Sequence, residues 1–128
     1  MQVMTDTKPK GQVAKSRLSQ VFIGWMFAHM NFAIPVKRLR ETETLMAFQH
    51  PKPSYPFHVL IVPKKAVASL ADFDPTDTAF LTDLMSITQS LVQEYQLPAY
   101  RLIVNGGEFQ DVPQLHFHLI SDVQRSNV

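Results

Sequence analysis

The stretch from Pro113 to Asp122 alternates large apolar residues with two histidines, and no other part of the chain restricts the fold as tightly. In an extended strand successive side chains point to opposite faces. Leu115, Phe117 and Leu119 therefore share one face, while Gln114, His116 and His118 share the other. Such a strand needs a core on one side and presents imidazoles on the other. His58 lies in a second strand-like run and His50 ends a third, so the fold is expected to gather several histidines in one cleft.

The remaining chain supplies partners for that strand. Residues 36–40 and 44–48 read as short strands, with Glu41 to Glu43 as the turn between them. Gln49 to Pro56 contains three prolines and reads as a stiff, extended loop. Phe57 to Pro63 is a β-branched apolar run ended by proline, which predicts a strand buried on both faces. Asp74-Pro75 offers an N-cap acceptor followed by a proline suited to the first helical position. An apolar stripe running from Phe80 through Leu84, Met85, Thr88 and Leu91 to Tyr95 carries that helix to about Gln96, before Pro98 stops it, and Met85 reads as core filler. Tyr100 to Val104 returns to strand, Asn105-Gly106-Gly107 signals a turn, and Gln114 to Ile120 closes the sheet. Near the N-terminus, Leu18, Val21, Phe22, Trp25, Met26 and Phe32 predict an amphipathic helix between about Lys15 and Phe32, preceded by a mobile tail over residues 1–11. The order is helix, three strands, helix, two strands. Short connections between neighbouring strands make this a single α+β domain over residues 12–128 with a mostly antiparallel sheet.

Composition narrows the function classes. At 128 residues and 45% hydrophobic, the chain can bury a real core, and the lack of cysteine excludes disulfides and thiolate metal sites. The formal charge of +1 gives no general case for a nucleic-acid partner. The charge is nonetheless uneven, at +7 over residues 1–65 and −6 over residues 66–128. Basic residues clustered beside the histidines would steer a phosphate toward them. Val21 to Val36 is only 16 residues long and interrupted by His29 and Asn31, too short to span a bilayer. Packing of this helix on the domain or on a second subunit is the commoner outcome than an interfacial membrane helix. With no secretory pattern at the start, the expectation is a cytoplasmic protein without a membrane partner.

Spaced two residues apart on one strand face, the His116 and His118 Cα atoms are about 7 Å apart. Three readings of that pair are open. Both imidazoles can decorate a half-exposed strand and do nothing. They can share a divalent ion with His58 or His50 in an open three-histidine site. Or one can attack an electrophilic phosphorus while the other donates a hydrogen bond to it or to the leaving group. Asn105, Gly106, Gly107 and Gln110 supply donors suited to phosphoryl oxygens, whereas a cation would draw on carboxylates such as Glu108 and Asp111.

Taken together, these pieces resemble the histidine triad (HIT) family of nucleotide hydrolases and transferases. The resemblance runs from about Phe32 to Ile120. It rests on Ile34-Pro35, Leu45 to Phe48, the Pro53 to Pro56 loop, His58 to Lys65, Ala68-Ser69-Leu70, then Asn105, Gly107, Gln110, Val112 and the last strand. The family signature His-φ-His-φ-His-φ-φ, with φ apolar, reads here Gln114-Leu115-His116-Phe117-His118-Leu119-Ile120, with Gln114 in place of the first histidine. The resemblance implies a five-stranded sheet with the long helix packed on it, and a homodimer. It implies that His116 attacks the α-phosphorus of a nucleotide at a phosphoanhydride or phosphoramidate, giving a nucleotidyl-histidine that water or another acceptor resolves. His116 would be oriented by a backbone carbonyl or Gln114, His118 would bind or protonate phosphoryl and leaving-group atoms, and His58 would support it. Asn105, Gly107 and Gln110 would bind phosphate oxygens. His50 stands where the family usually places a ribose-binding aspartate, and Asp111 where a small hydroxyl residue often touches phosphate. No cofactor or resident metal is expected. The alternatives are a nucleotide-binding or partner-binding protein on the same scaffold, and a metal-dependent enzyme using His58, His116 and His118.

Overall fold

A computed structural model of the chain describes residues 38–123. The expected tail over residues 1–11 and the expected helix between Lys15 and Phe32 lie outside the described residues. Five strands, β1 (Arg38–Glu41), β2 (Leu45–Gln49), β3 (Phe57–Pro63), β4 (Arg101–Val104) and β5 (Phe117–Ser121), and one helix, α1 (Thr78–Glu94), make up the described fold. The sheet runs β1-β2-β3-β5-β4, with every neighbouring pair antiparallel. Among the described residues no helix is long and apolar enough to cross a membrane.

β3 occupies the middle of the sheet, as its unbroken apolar run requires, and every residue from His58 to Pro63 is buried. Alternation divides them. Val59 and Ile61 join Leu45, Ala47, Phe117 and Leu119 under α1, which contributes Phe80, Leu84 and Leu91. Each such Val, Leu, Ile or Phe side chain is worth roughly 1.5–3 kcal/mol of burial. His58, Leu60 and Val62 point to the opposite face, where the register sets them beside Ile120, His118, Phe48 and Met46. Leu60 lies directly across from His118, and His58 is offset from it by two residues.

Three features differ from expectation. The Asp74 carboxylate caps a turn instead of the helix, accepting from the Thr76 amide at 2.9 Å and the Thr76 hydroxyl at 2.7 Å. Asp77 is the helix cap, accepting from the Phe80 amide at 3.1 Å. The buried stripe of α1 is narrower than expected, and Leu81 and Met85 on its flank are exposed, so Met85 is not core filler. β5 begins at Phe117 rather than Gln114, because the Leu115 amide leaves the ladder to bond the Val67 carbonyl at 2.7 Å.

α1 ends in a tight reversal. The Leu97 amide bonds the Val92 carbonyl at 3.1 Å and the Gln96 amide bonds the Gln93 carbonyl at 3.2 Å, with Gln96 left-handed at φ 49°. That pair of bonds forms a Schellman cap, a position that favours glycine because a Cβ is strained there. Gln96→Gly is expected to stabilise the fold by about 0.5–1 kcal/mol, read as a raised urea midpoint with an unchanged slope.

Candidate active site

The site begins with the proline-rich loop between β2 and β3. Pro51, Pro53 and Pro56 carry no N–H, so the loop cannot continue either strand, and two of the amides it retains turn toward histidine rings. The Lys52 amide donates to His50 Nδ1 at 3.0 Å, and the Ser54 amide donates to His58 Nδ1 at 3.1 Å. The His50 amide in turn donates to the His58 carbonyl at 2.8 Å, closing the loop over the start of β3. The two rings lie against each other with centroids 4.3 Å apart, and Tyr55 meets His58 edge-on at 5.4 Å.

From His58 the contacts pass to β5. His58 Nε2 and His118 Nδ1 are 3.0 Å apart, and the His116 and His118 ring centroids are separated by 5.1 Å. His116 Nδ1 is 2.7 Å from the backbone carbonyl of Gln114. These bonds assign the protons by elimination. A backbone amide only donates, so neutral His58 accepts at Nδ1 and carries its proton on Nε2. That proton goes to His118 Nδ1, which leaves the His118 proton on Nε2. A carbonyl only accepts, so His116 carries a proton on Nδ1, and in the neutral ring the lone pair lies on Nε2.

Burial is the first cause holding the pair neutral. It pushes His58 down to about 4, with the neighbouring His50 and His118 adding to the effect. It pushes His118 down to about 4 as well, assisted by His116 and His50 and opposed by the Asp111 carboxylate. His50 is lowered too, by burial first and His116 second.

The structure thus gathers His50, His58, His116 and His118 into one cluster. Gln114 is buried beside it, but its amide nitrogen donates to the Lys65 carbonyl at 3.0 Å. Gln110 gives its amide nitrogen to the Ala68 carbonyl at 2.7 Å and the Val112 carbonyl at 2.8 Å. Asn105 directly follows β4 and is half-buried. Gly107 opens a single 3-10 turn at φ 59°, a conformation that calls for glycine although the space around it is open. Among the described residues no group of three or more His, Cys, Asp or Glu side chains is placed to hold a metal. His50 and His58 have their Nδ1 lone pairs occupied by amides, and His58 and His118 bond each other.

Sequence reasoning missed the amides of Lys52 and Ser54 and the carbonyls of Lys65, Val67 and Ala68. The spacing of prolines around Lys52 and Ser54 was the available signal, since it marks which amides a rigid loop has left to offer.

A pH dependence follows from the His58–His118 pair. In the unfolded chain an ordinary histidine takes up a proton near 6.5, whereas His58 and His118 do so only near 4. Between those values the unfolded state binds more protons, so stability falls as pH is lowered from about 6.5 toward 4 and the histidine contribution then levels off. Urea midpoints measured between pH 7.5 and 5, above the main carboxylate range, should decline. The His58→Phe, His118→Phe double variant should show a shallower decline.

The HIT domain family model matches residues 31–125 of the chain. A 13.2 kDa HIT-like protein from Azospirillum brasilense is 34% identical over 93 residues, covering 69% of this chain and 76% of its own length. A HIT-like protein from Chlamydia muridarum is 30% identical over 91 residues, covering 69% of this chain and 72% of its own. Among solved structures, a HIT family hydrolase from Legionella pneumophila superposes with a TM-score of 0.67 at 28% identity, over 84% of this chain and 92% of that one. A HIT family hydrolase from Clostridium thermocellum does so with a TM-score of 0.64 at 25% identity, over 83% of this chain and 96% of that one. On its sequence and on its fold alike, the chain belongs to the HIT family.

Proposed function

We propose that the protein is a nucleotide hydrolase or nucleotidyl transferase of the HIT type, acting at a phosphoanhydride or phosphoramidate through a covalent intermediate on His116. The observation that carries this reading is the 2.7 Å contact between His116 Nδ1 and the Gln114 carbonyl. It directs the bare lone pair of Nε2 outward from the backbone and leaves a hydrogen bond in place to stabilise the cation that forms when Nε2 attacks. His116 is only 8% exposed, so the ring is held by its surroundings before any substrate arrives.

In this reading His118 presents its Nε2–H to a phosphoryl or leaving-group oxygen, and His58 fixes the orientation of His118 from behind. His50, with its proton on Nε2, offers a donor where an aspartate would offer acceptors. Asn105 supplies a further amide for phosphate oxygens. Gln114, at the first position of the motif, serves through its backbone carbonyl. Homodimerisation belongs to the same reading, supported by β4 at the sheet edge, where Leu102, Ile103 and Val104 are only half-buried.

His116→Asn should lower turnover of an adenosine phosphoanhydride by about a thousandfold or more while leaving the thermal midpoint nearly unchanged. Intact-protein mass spectrometry of the parent chain, quenched without acid, should show a nucleotidyl adduct that the variant lacks. Tight nucleotide binding with neither adduct nor product would instead identify a binding protein that retains the scaffold.

A further inference from the structure

The turn between β4 and β5 holds an aromatic ring out in solvent. Phe109 is 81% exposed, more than any other large apolar residue described. A scattered exposed aromatic is ordinary on a protein surface, but this one stands on a turn braced from beneath. The Phe109 amide donates to the Gly106 carbonyl at 3.1 Å and the Gln110 amide to the Gly107 carbonyl at 3.0 Å. Gln110 then ties the turn down, its side chain donating to the carbonyls of Ala68 and Val112. With the backbone already fixed, seating the ring against a ligand costs mainly side-chain freedom.

The register puts this turn beside the histidines. Val104 and Phe117 form the last pair of the β4–β5 ladder, so the chain leaves the sheet at the level of His116. It comes back through Asp111, whose carboxylate lies close enough to His118 to favour its charged form. Phe109 is two residues before Asp111, within about 7 Å along the chain. In the strand order β2-β3-β5-β4, His50 follows β2 and the turn follows β4, so the two flank the histidine strand on opposite sides. A nucleoside held near His50 leaves the other end of the substrate toward the turn.

We propose that Phe109 determines specificity by stacking on an aromatic ring carried by the leaving group, an inference that rests on the nucleotidyl-transfer reading of His116. Glu108 and Asp111, both exposed and on either side of Phe109, repel an anionic group at that position. The substrate class is therefore a nucleotide joined to an uncharged or cationic aromatic group, in preference to a polyphosphate chain. Ring on ring supplies the selection, since paired aromatics gain over an aliphatic group of the same size.

The test compares two amides of adenosine monophosphate, one with phenylethylamine and one with cyclohexylethylamine, on the full chain at pH 7. They match in length and differ in the ring. The phenyl amide should lead in kcat/KM by about threefold to tenfold, the scale of an aromatic pair beyond its buried area. Phe109→Leu, at a position outside the core, should bring the ratio close to one through a higher KM for the phenyl amide. No preference in the parent chain, or a preference that survives in Phe109→Leu, would overturn the proposal. Glu108→Gln should raise kcat/KM for ATP, whose leaving group is pyrophosphate, by at least about threefold relative to the phenyl amide. An unchanged ratio would overturn the charge selection. A readout independent of turnover comes from His116→Asn loaded with the phenyl amide, where Overhauser effects should link the ligand ring to Phe109. Their absence would overturn the stacking, and these spectra also decide the matter if the chain cleaves a phosphoanhydride but neither amide. Turnover of both amides without preference would leave the nucleotidyl-histidine reading standing. No turnover and no adduct from amide or anhydride would remove both.

Discussion

The amide of Ser54 facing the imidazole of His58 is the contact on which the rest of the site depends. It sets which nitrogen of His58 holds the proton, and through that nitrogen it sets the state of His118. The cause lies in the backbone, since Pro51, Pro53 and Pro56 restrict the loop to an extended course with few amides to satisfy. A flexible polar loop could give the same amides to water. Here the stiffness of a short segment is converted into the protonation state of two rings, one buried and one half-buried.

His116 depends on a second backbone device. The segment after β3 presents the carbonyls of Lys65, Val67 and Ala68, and these accept from the Gln114 side chain, the Leu115 amide and the Gln110 side chain respectively. The histidine segment is thereby held outside the β-ladder just before β5 starts. That placement matters for the chemistry, because a carbonyl in a central strand is normally engaged with its neighbour, whereas the Gln114 carbonyl is turned to the His116 ring.

How far the sequence could be read depended on the range of the interactions. β3 was legible from Phe57 to Pro63 because a continuous β-branched run has few other places to go, and the histidine alternation was legible because its period is a property of the strand. α1 starts one turn later than the local pattern suggests, since Asp74-Pro75 serves a turn as well as it serves a cap. The bond from Gln110 to the Ala68 carbonyl is not legible in the sequence, because the two residues lie over 40 positions apart. Gln114 showed its position in the motif but not its partner at Lys65, for the same reason. Local patterns reveal elements, while bonds between distant backbone segments appear only once the fold brings them together.

The two rims of the sheet are unlike each other. Along β1, Arg38 and Lys64 both pair with Glu41, while Arg40 reaches across to Glu94 and Ser90 on α1. The opposite rim, β4, carries Leu102, Ile103 and Val104 with a single charged residue, Arg101, at its start. Ionic groups fixed along a border discourage a foreign strand from docking there, and an aliphatic border does not. Among the described residues, a neighbouring strand would meet fixed ions at one border and aliphatic side chains at the other. Any pairing of two such chains rim to rim then consumes the open border of both, so growth stops at a closed pair instead of extending into a fibre.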